Sequence, residues 1–357
     1  MKSNYRKLGE FIRQIDVRNA DGKEENLLGV SVQKVFISSI ANTVGTDFTK
    51  YKVVKKRQFT YIPDTSRRGD KIGIALLEDY EEGLVSNVYI VFEIIDKKHL
   101  LPEYLMLWFR RPEFDRYARF KSHGSVREVM DWEEMCNVEI PVPAYEEQCK
   151  IVEAYKIVEE RIKLKRTIND NLEEQAQAIY QELFIDNTEK STWKQGVVGD
   201  VLQLQRGHDL PRIEMLSGEY PVAGSTGIIG YHNQYTAEAP VIVMGRSGNI
   251  GNPRLYLCNC WTHNTSLYVK QIYQAEPVWA FYLLKNLNYD GFVGGSAVPT
   301  LNRNDVHAYG IVIPPFELQK FFSEKVIKLI LYKEENLSEI AKLQELQGII
   351  LSTISSR

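Results

Sequence analysis

The hydrophobic pattern is clearest between residues 145 and 184, a stretch without proline or glycine. Ile151, Tyr155, Val158 and Ile162, then Leu164, Ile168, Leu172, Ala176, Ile179 and Leu183, recur at steps of three and four. One slip interrupts them, between Ile162 and Leu164. That spacing predicts a long helix with one apolar stripe. Pro143 stands where the helix cannot yet have begun, and Glu146 and Glu147 suit its positive N-terminal end. At about 1.5 Å per residue such a helix is on the order of 58 Å long. A second stripe follows near the end of the chain, through Phe322, Val326, Leu329, Leu337, Ile340, Leu343, Ile350 and Ile354. Two stripes of nearly equal length predict an antiparallel pair.

The entry to each helix is the same motif. Ile140-Pro-Val-Pro-Ala-Tyr-Glu-Glu-Gln148 returns 171 residues later as Ile311-Val-Ile-Pro-Pro-Phe-Glu-Leu-Gln319. Further anchors repeat in the same order. Leu8-Gly9-Glu10-Phe11-Ile12 falls on Val198-Gly199-Asp200-Val201-Leu202, Asn87 on Asn264, and Gly124-Ser125 on Gly295-Ser296. Between the anchors the first copy shows alternating, β-branched and aromatic runs at 28–36, 51–61, 71–77 and 85–95. Helical patterns follow at 102–109 and 114–120. The fold class expected is α+β, with two related α/β domains separated by two long antiparallel helices and related by a pseudo-two-fold internal repeat. The expected domains are residues 1–143, 144–190 as the first long helix, 191–314, and 315–357 as the second.

Composition narrows the functional classes. With 357 residues, 44% of them hydrophobic, the chain can build two cores. It carries no membrane-length apolar run and no signal-peptide pattern, so a cytoplasmic location is expected. Four cysteines in a chain this long do not make a disulfide framework, and Cys258-Asn-Cys260 lacks zinc-knuckle spacing. No metal site and no cofactor is expected. Catalytic signals fail on inspection. Ile313-Pro-Pro-Phe316 has the prolines and aromatic of an amino-methyltransferase loop but isoleucine where the polar acceptor belongs. No phosphate-binding Gly-x4-Gly-Lys-Ser/Thr occurs. His208-Asp209 and His263 have no evident nucleophile.

Binding signals are better. Net charge is −3, but cations cluster between residues 50 and 71: Lys50, Lys52, Lys55, Lys56, Arg57, Arg67, Arg68 and Lys71, among Tyr51, Phe59 and Tyr61. An anionic chain can still carry a cationic face that meets nucleic acid. In the second copy, Met244-Gly-Arg-Ser-Gly-Asn-Ile-Gly251 is a glycine-rich turn carrying Arg246, Ser247 and Asn249, with Arg254 beyond. Arginine can fork onto guanine and asparagine onto adenine. The loop with Arg206, His208 and Arg212, and the turn with Ser225 and Thr226, add donors. A rigid spacer with two related heads suits double-stranded DNA, whose backbone symmetry lets both dock alike. The other reading is a coiled-coil adaptor whose heads bind protein or peptide.

The Pro-x-Pro or Pro-Pro, aromatic, Glu, x, Gln entry, in domain–helix–domain–helix order over the whole chain, resembles the specificity subunit of Type I restriction–modification systems. Tyr51-Lys-Val-Val-Lys-Lys56, Phe59-Thr-Tyr-Ile62 and Gly245-Arg-Ser-Gly-Asn-Ile-Gly251 are also similar to family segments. The resemblance implies that each domain recognises half of a split DNA sequence and that the subunit is not itself catalytic. It implies that methyltransferase subunits grip the helices, with Tyr145, Glu146, Gln148, Phe316, Glu317 and Gln319 as the contacts expected, and that restriction–translocase subunits join for cleavage. Leu318 departs from the pattern, standing where the first copy has Glu147.

Overall fold

The structure, a computed structural model, describes residues 5–39, 45–65, 71–122, 128–289, 292 and 300–354. The chain divides into two compact units, one of residues 1–164 with 339–357 and one of residues 165–338.

In the first unit, β1 (Tyr5–Lys7) and a 3-10 turn lead into β2 (Ile12–Ile15). A hairpin follows from β3 (Leu28–Val30) and β4 (Phe36–Ser38), then β5 (Lys52–Lys55), β6 (Phe59–Tyr61), β7 (Ile74–Leu76), β8 (Glu82–Val85) and β9 (Ile90–Ile94). The central sheet has the order β2-β9-β6-β7, all antiparallel. Helices α1 (Pro102–Phe109), α2 (Pro112–Ser122) and α3 (Trp132–Asn137) precede β10 (Glu139–Pro141), which pairs back onto β1. Seven of the eight residues of α1 are buried, so it is a core helix rather than a surface one. Phe59, Phe92, Phe109 and Phe114 form the aromatic centre of that core, with Phe59 stacked on Phe92 at 4.8 Å. The long helix α4 (Tyr145–Tyr180) begins here and ends in the second unit in a π-helical turn over Gln181–Ile185.

In the second unit, β11 (Lys194–Val197) and the short α5 (Val198–Val201) lead into β12 (Leu202–Arg206). Next come β13 (Tyr220–Gly224), β14 (Gly227–His232), β15 (Val241–Gly245), β16 (Gly251–Tyr256), β17 (Trp261–Thr262) and β18 (Ser266–Ile272). The central sheet is β12-β18-β15-β16, the order of the first unit strand for strand. The buried helix α6 (Pro277–Lys285) and the short α7 (Arg303–His307) precede β19 (Gly310–Ile313), which pairs onto β11 as β10 does onto β1. Helix α8 (Phe316–Thr353) closes the order. The repeat read from anchors is thus a repeat of sheet topology. The second unit adds its own three-stranded sheet, β14-β13-β17. The anchors Gly124-Ser125 and Gly295-Ser296 lie outside the described residues.

Both long helices cross the unit division, and within each unit their segments pack antiparallel. In the first, Val158 and Ile162 of α4 meet Ile340, Leu343 and Ile350 of α8, and Arg161 Nε donates to Glu339 Oε1 at 2.7 Å. In the second, Tyr180 and Phe184 pack edge-on against Phe322. The slip in the stripe resolves differently from the expectation. Leu164 is 60% exposed and Leu337 45%. The seam runs instead through Lys165, Asn169 and Asn336, because the step of three from Ile162 to Lys165 keeps the helical period where Leu164 does not. Lys165 Nζ donates to Asn336 Oδ1 at 2.7 Å, and Asn336 Nδ2 donates to Asn169 Oδ1 at 2.8 Å, with both asparagines buried. Among the described residues no helix is long and apolar enough to cross a membrane.

Candidate nucleic-acid interface

The cationic run of the first unit does not form one open face. Lys52 is buried, its ammonium donating to Tyr89 O at 2.8 Å beside Asp16. Burial holds its pKa below the ordinary lysine value, with Asp16 opposing. Lys56 pairs with Glu81 at 2.6 Å, Arg57 with Glu103 at 2.9 Å and Lys50 with Asp47 at 3.4 Å. Lys55 is exposed but stands opposite Glu82 in the ladder of β5 and β8. Lys71 is exposed. Arg67 and Arg68 lie outside the described residues. Apart from Asp47, the acids that answer this run come from distant positions, so a local count of charge misses them.

In the second unit the structure gathers the candidates at one end of the sheet. Arg206 ends β12 opposite Leu267, and Gly245 ends β15 opposite Ser266, on the two sides of β18. The intervening turns converge on Thr265. Its carbonyl accepts the N–H groups of Arg246 at 3.0 Å and Ser247 at 3.2 Å, and its hydroxyl accepts the N–H of Ser225 at 3.3 Å. Ser225 and Thr226 form the tip of the β13–β14 hairpin. Gly245 is required for local closure, since a Cβ there would lie 1.6 Å from Asn249 O. Arg254 on β16 lays its guanidinium against Gly227.

Not every candidate is presented outward. The Asn249 amide is engaged within the rim, donating to Ser225 O at 3.0 Å and accepting from Asn252 Nδ2 at 2.8 Å. It offers no free fork to an adenine. His208 is half-buried, its ring against Trp261 and Tyr268 and its backbone N–H donating to Thr262 O at 2.7 Å. Arg212 is exposed in a 3-10 turn beside Ile213, which is 92% exposed.

Two rim residues carried no signal in the motif reading. One is Thr265; the other is Arg303, the first residue of α7. Leu301 N–H donates to Arg246 O at 2.8 Å, which seats the start of α7 against the glycine-rich turn. Asn302 caps the helix, accepting the N–H of Asn304 at 3.0 Å. At its far end, His307 Nε2 accepts the N–H of Leu204 at 2.8 Å, pinning α7 to β12. Burial, with Arg303 adding to it, holds the His307 pKa below the ordinary histidine value. Arg206, Arg246 and Arg303 thereby line one groove with Leu267, Thr300 and Leu301.

At the helix entries the repeated residues divide by role. Gln148 and Gln319 are buried and not available to a partner. Gln148 Oε1 accepts the N–H of Leu101 at the start of α1 at 2.8 Å, and its amide nitrogen donates to His99 O and Pro143 O. Gln319 repeats this on Glu276 N–H at the start of α6, and donates to Pro314 O at 2.9 Å. Tyr145, Glu146, Phe316 and Glu317 are exposed. Pro314 and Pro315 thus form the entry to α8.

A family model described as the Type I restriction modification DNA specificity domain matches residues 4–174 and again 190–347. The chain is 24% identical over 298 residues to the specificity subunit of the Type I restriction enzyme MjaIX of Methanocaldococcus jannaschii, covering 71% of this chain and 68% of that protein. It is 23% identical over 221 residues to the HindI specificity subunit of Haemophilus influenzae, covering 60% of this chain and 47% of that one. The crystal structure of a Type I restriction–modification S subunit from M. genitalium has a similar fold, with a TM-score of 0.63 at 16% identity over 98% of this chain and 95% of that chain.

Proposed function

The chain belongs to the family of Type I restriction–modification DNA specificity domains, and from that premise we propose that it is the sequence-reading, non-catalytic subunit of such a complex. Each unit reads one half of a bipartite site in duplex DNA, the long helices set the gap between the halves, and the protein works in the cytoplasm, beside the chromosome. One observation carries the reading: a single sheet order, β2-β9-β6-β7 and β12-β18-β15-β16, occurs twice with unlike rims. A scaffold kept constant while its loops differ suits two heads that bind the same polymer but read different bases. The gap role is supported by two helices of 36 and 38 residues that both cross the unit division.

Methyltransferase subunits dock on the helices, and the exposed Tyr145 and Glu146 at one entry and Phe316 and Glu317 at the other are the contacts proposed. Restriction–translocase subunits join for cleavage. Sequencing the methylated motif in cells that express this chain with its methyltransferase subunits tests the reading. A split motif of two short half-sites with a fixed gap is expected. A continuous motif, or methylation by the chain alone, would sink it.

A further inference from the structure

The groove at the rim of the second unit holds three guanidinium groups that the fold itself does not need. Arg206 is fixed by the end of β12, Arg246 by its backbone bonds to Thr265 and Leu301, and Arg303 by the capped start of α7. Among the described residues, Arg206 pairs with Asp209 at 3.2 Å, while no ion pair reaches Arg246 or Arg303. Like charges brought to one groove repel, and a site that keeps them close suits an anion.

The first unit provides an internal control. Its sheet has the same order, and Met130 N–H donates to Pro63 O as Leu301 N–H does to Arg246 O. Asp131 caps α3 as Asn302 caps α7. Followed through the repeat, the places of Arg206, Arg246 and Arg303 are held by Asp16, Pro63 and Trp132. None is a cation, yet the same topology forms. The arginines are thus dispensable to the scaffold.

We propose that Arg206, Arg246 and Arg303 form a phosphate clamp that grips the DNA backbone at the second half-site, with Arg303 as a positioning residue that reads no base. This rests on the DNA-reading function proposed above. Base reading in this unit is left to the hairpin tip at Ser225 and Thr226 and to Arg254 beside it. The guanidinium fork matches a phosphodiester in a way an ammonium does not, although either supplies the charge.

The test uses the full chain and a fluorescently labelled mixed-sequence duplex of about two helical turns per unit, titrated at several NaCl concentrations. Each phosphate contact contributes about 0.9 to the slope of log affinity against log salt. Arg303→Ala and Arg206→Ala should each lower that slope by about 0.9 and weaken binding several-fold. Arg303→Lys should keep the slope. With methyltransferase subunits present, the methylated motif of Arg303→Ala should be unchanged. An unaltered slope in both alanine variants would overturn the clamp, as would a relaxed base preference in Arg303→Ala. If the wild-type chain bound duplex without salt dependence, the function proposed above would fail first, and the clamp with it. Inorganic phosphate that competes beyond its ionic strength would instead mark a free-anion site and would also overturn the proposal.

Discussion

At the scale of single residues, His307 makes a link between protonation and the rim. Its Nε2 must be unprotonated to accept the N–H of Leu204. Its folded pKa lies below the ordinary histidine value, so the unfolded chain takes up a proton first. Stability from this contact is therefore complete above about pH 6.5 and is lost as pH falls through the folded value. Urea unfolding of the wild type should lose more stability between pH 7.5 and pH 5 than that of His307→Gln, whose amide oxygen can accept the same N–H. Equal losses in the two proteins would remove the link. His307 also illustrates what the sequence withholds at this scale. A histidine near the end of a copy gives no local sign of the strand it caps. In the same way Lys52 read as surface charge, and only the pairing of β5 with β8 and the proximity of Asp16 place it inside. Glycine-rich turns were legible as turns, but the reason at Gly245, the close approach of Asn249 O, was not.

At the scale of elements, the two long helices were legible nearly to the residue, because a periodic stripe over ten turns is a strong signal. The seam through their middle was not. Apolar periodicity follows Leu164 and Leu337, and it passes over Lys165, Asn169 and Asn336, which are polar and occupy the true seam. A buried asparagine pair costs stability relative to leucine but penalises every other alignment of the helices. Asn336→Leu removes the Asn336 Nδ2 bond to the buried Asn169 Oδ1 and should cost about 1–3 kcal/mol in urea unfolding. Asn169→Leu together with Asn336→Leu should recover most of that loss. If the double variant were as unstable as the single, the cost would come from packing and not from the stranded amide.

At the scale of the whole molecule, the repeat was legible through anchors whose spacing shrinks, because the sheet is kept and the loops are not. The rims were legible only in part: Arg206 and Arg246 stand out beside glycines, whereas Thr265 and Arg303 join them through long-range contacts that no local pattern announces. Matched insertions give the functional reading a sharp test. Four residues added to both α4 and α8 at the unit division lengthen each by about 6 Å and nearly preserve the helical face. The gap in the methylated motif should grow by one or two base pairs, at about 3.4 Å each, with both half-sites unchanged. An unaltered gap would mean that the helices are not the ruler.

The buried glutamines bear on how such a change would travel. Gln148 is bonded at once to the entry of α4 and to the first turn of α1, and Gln319 does the same for α8 and α6. Each is a weld, made by one side chain, between the entry of a long helix and the start of the buried helix of its own unit, so a displacement of either entry loads α1 or α6 directly.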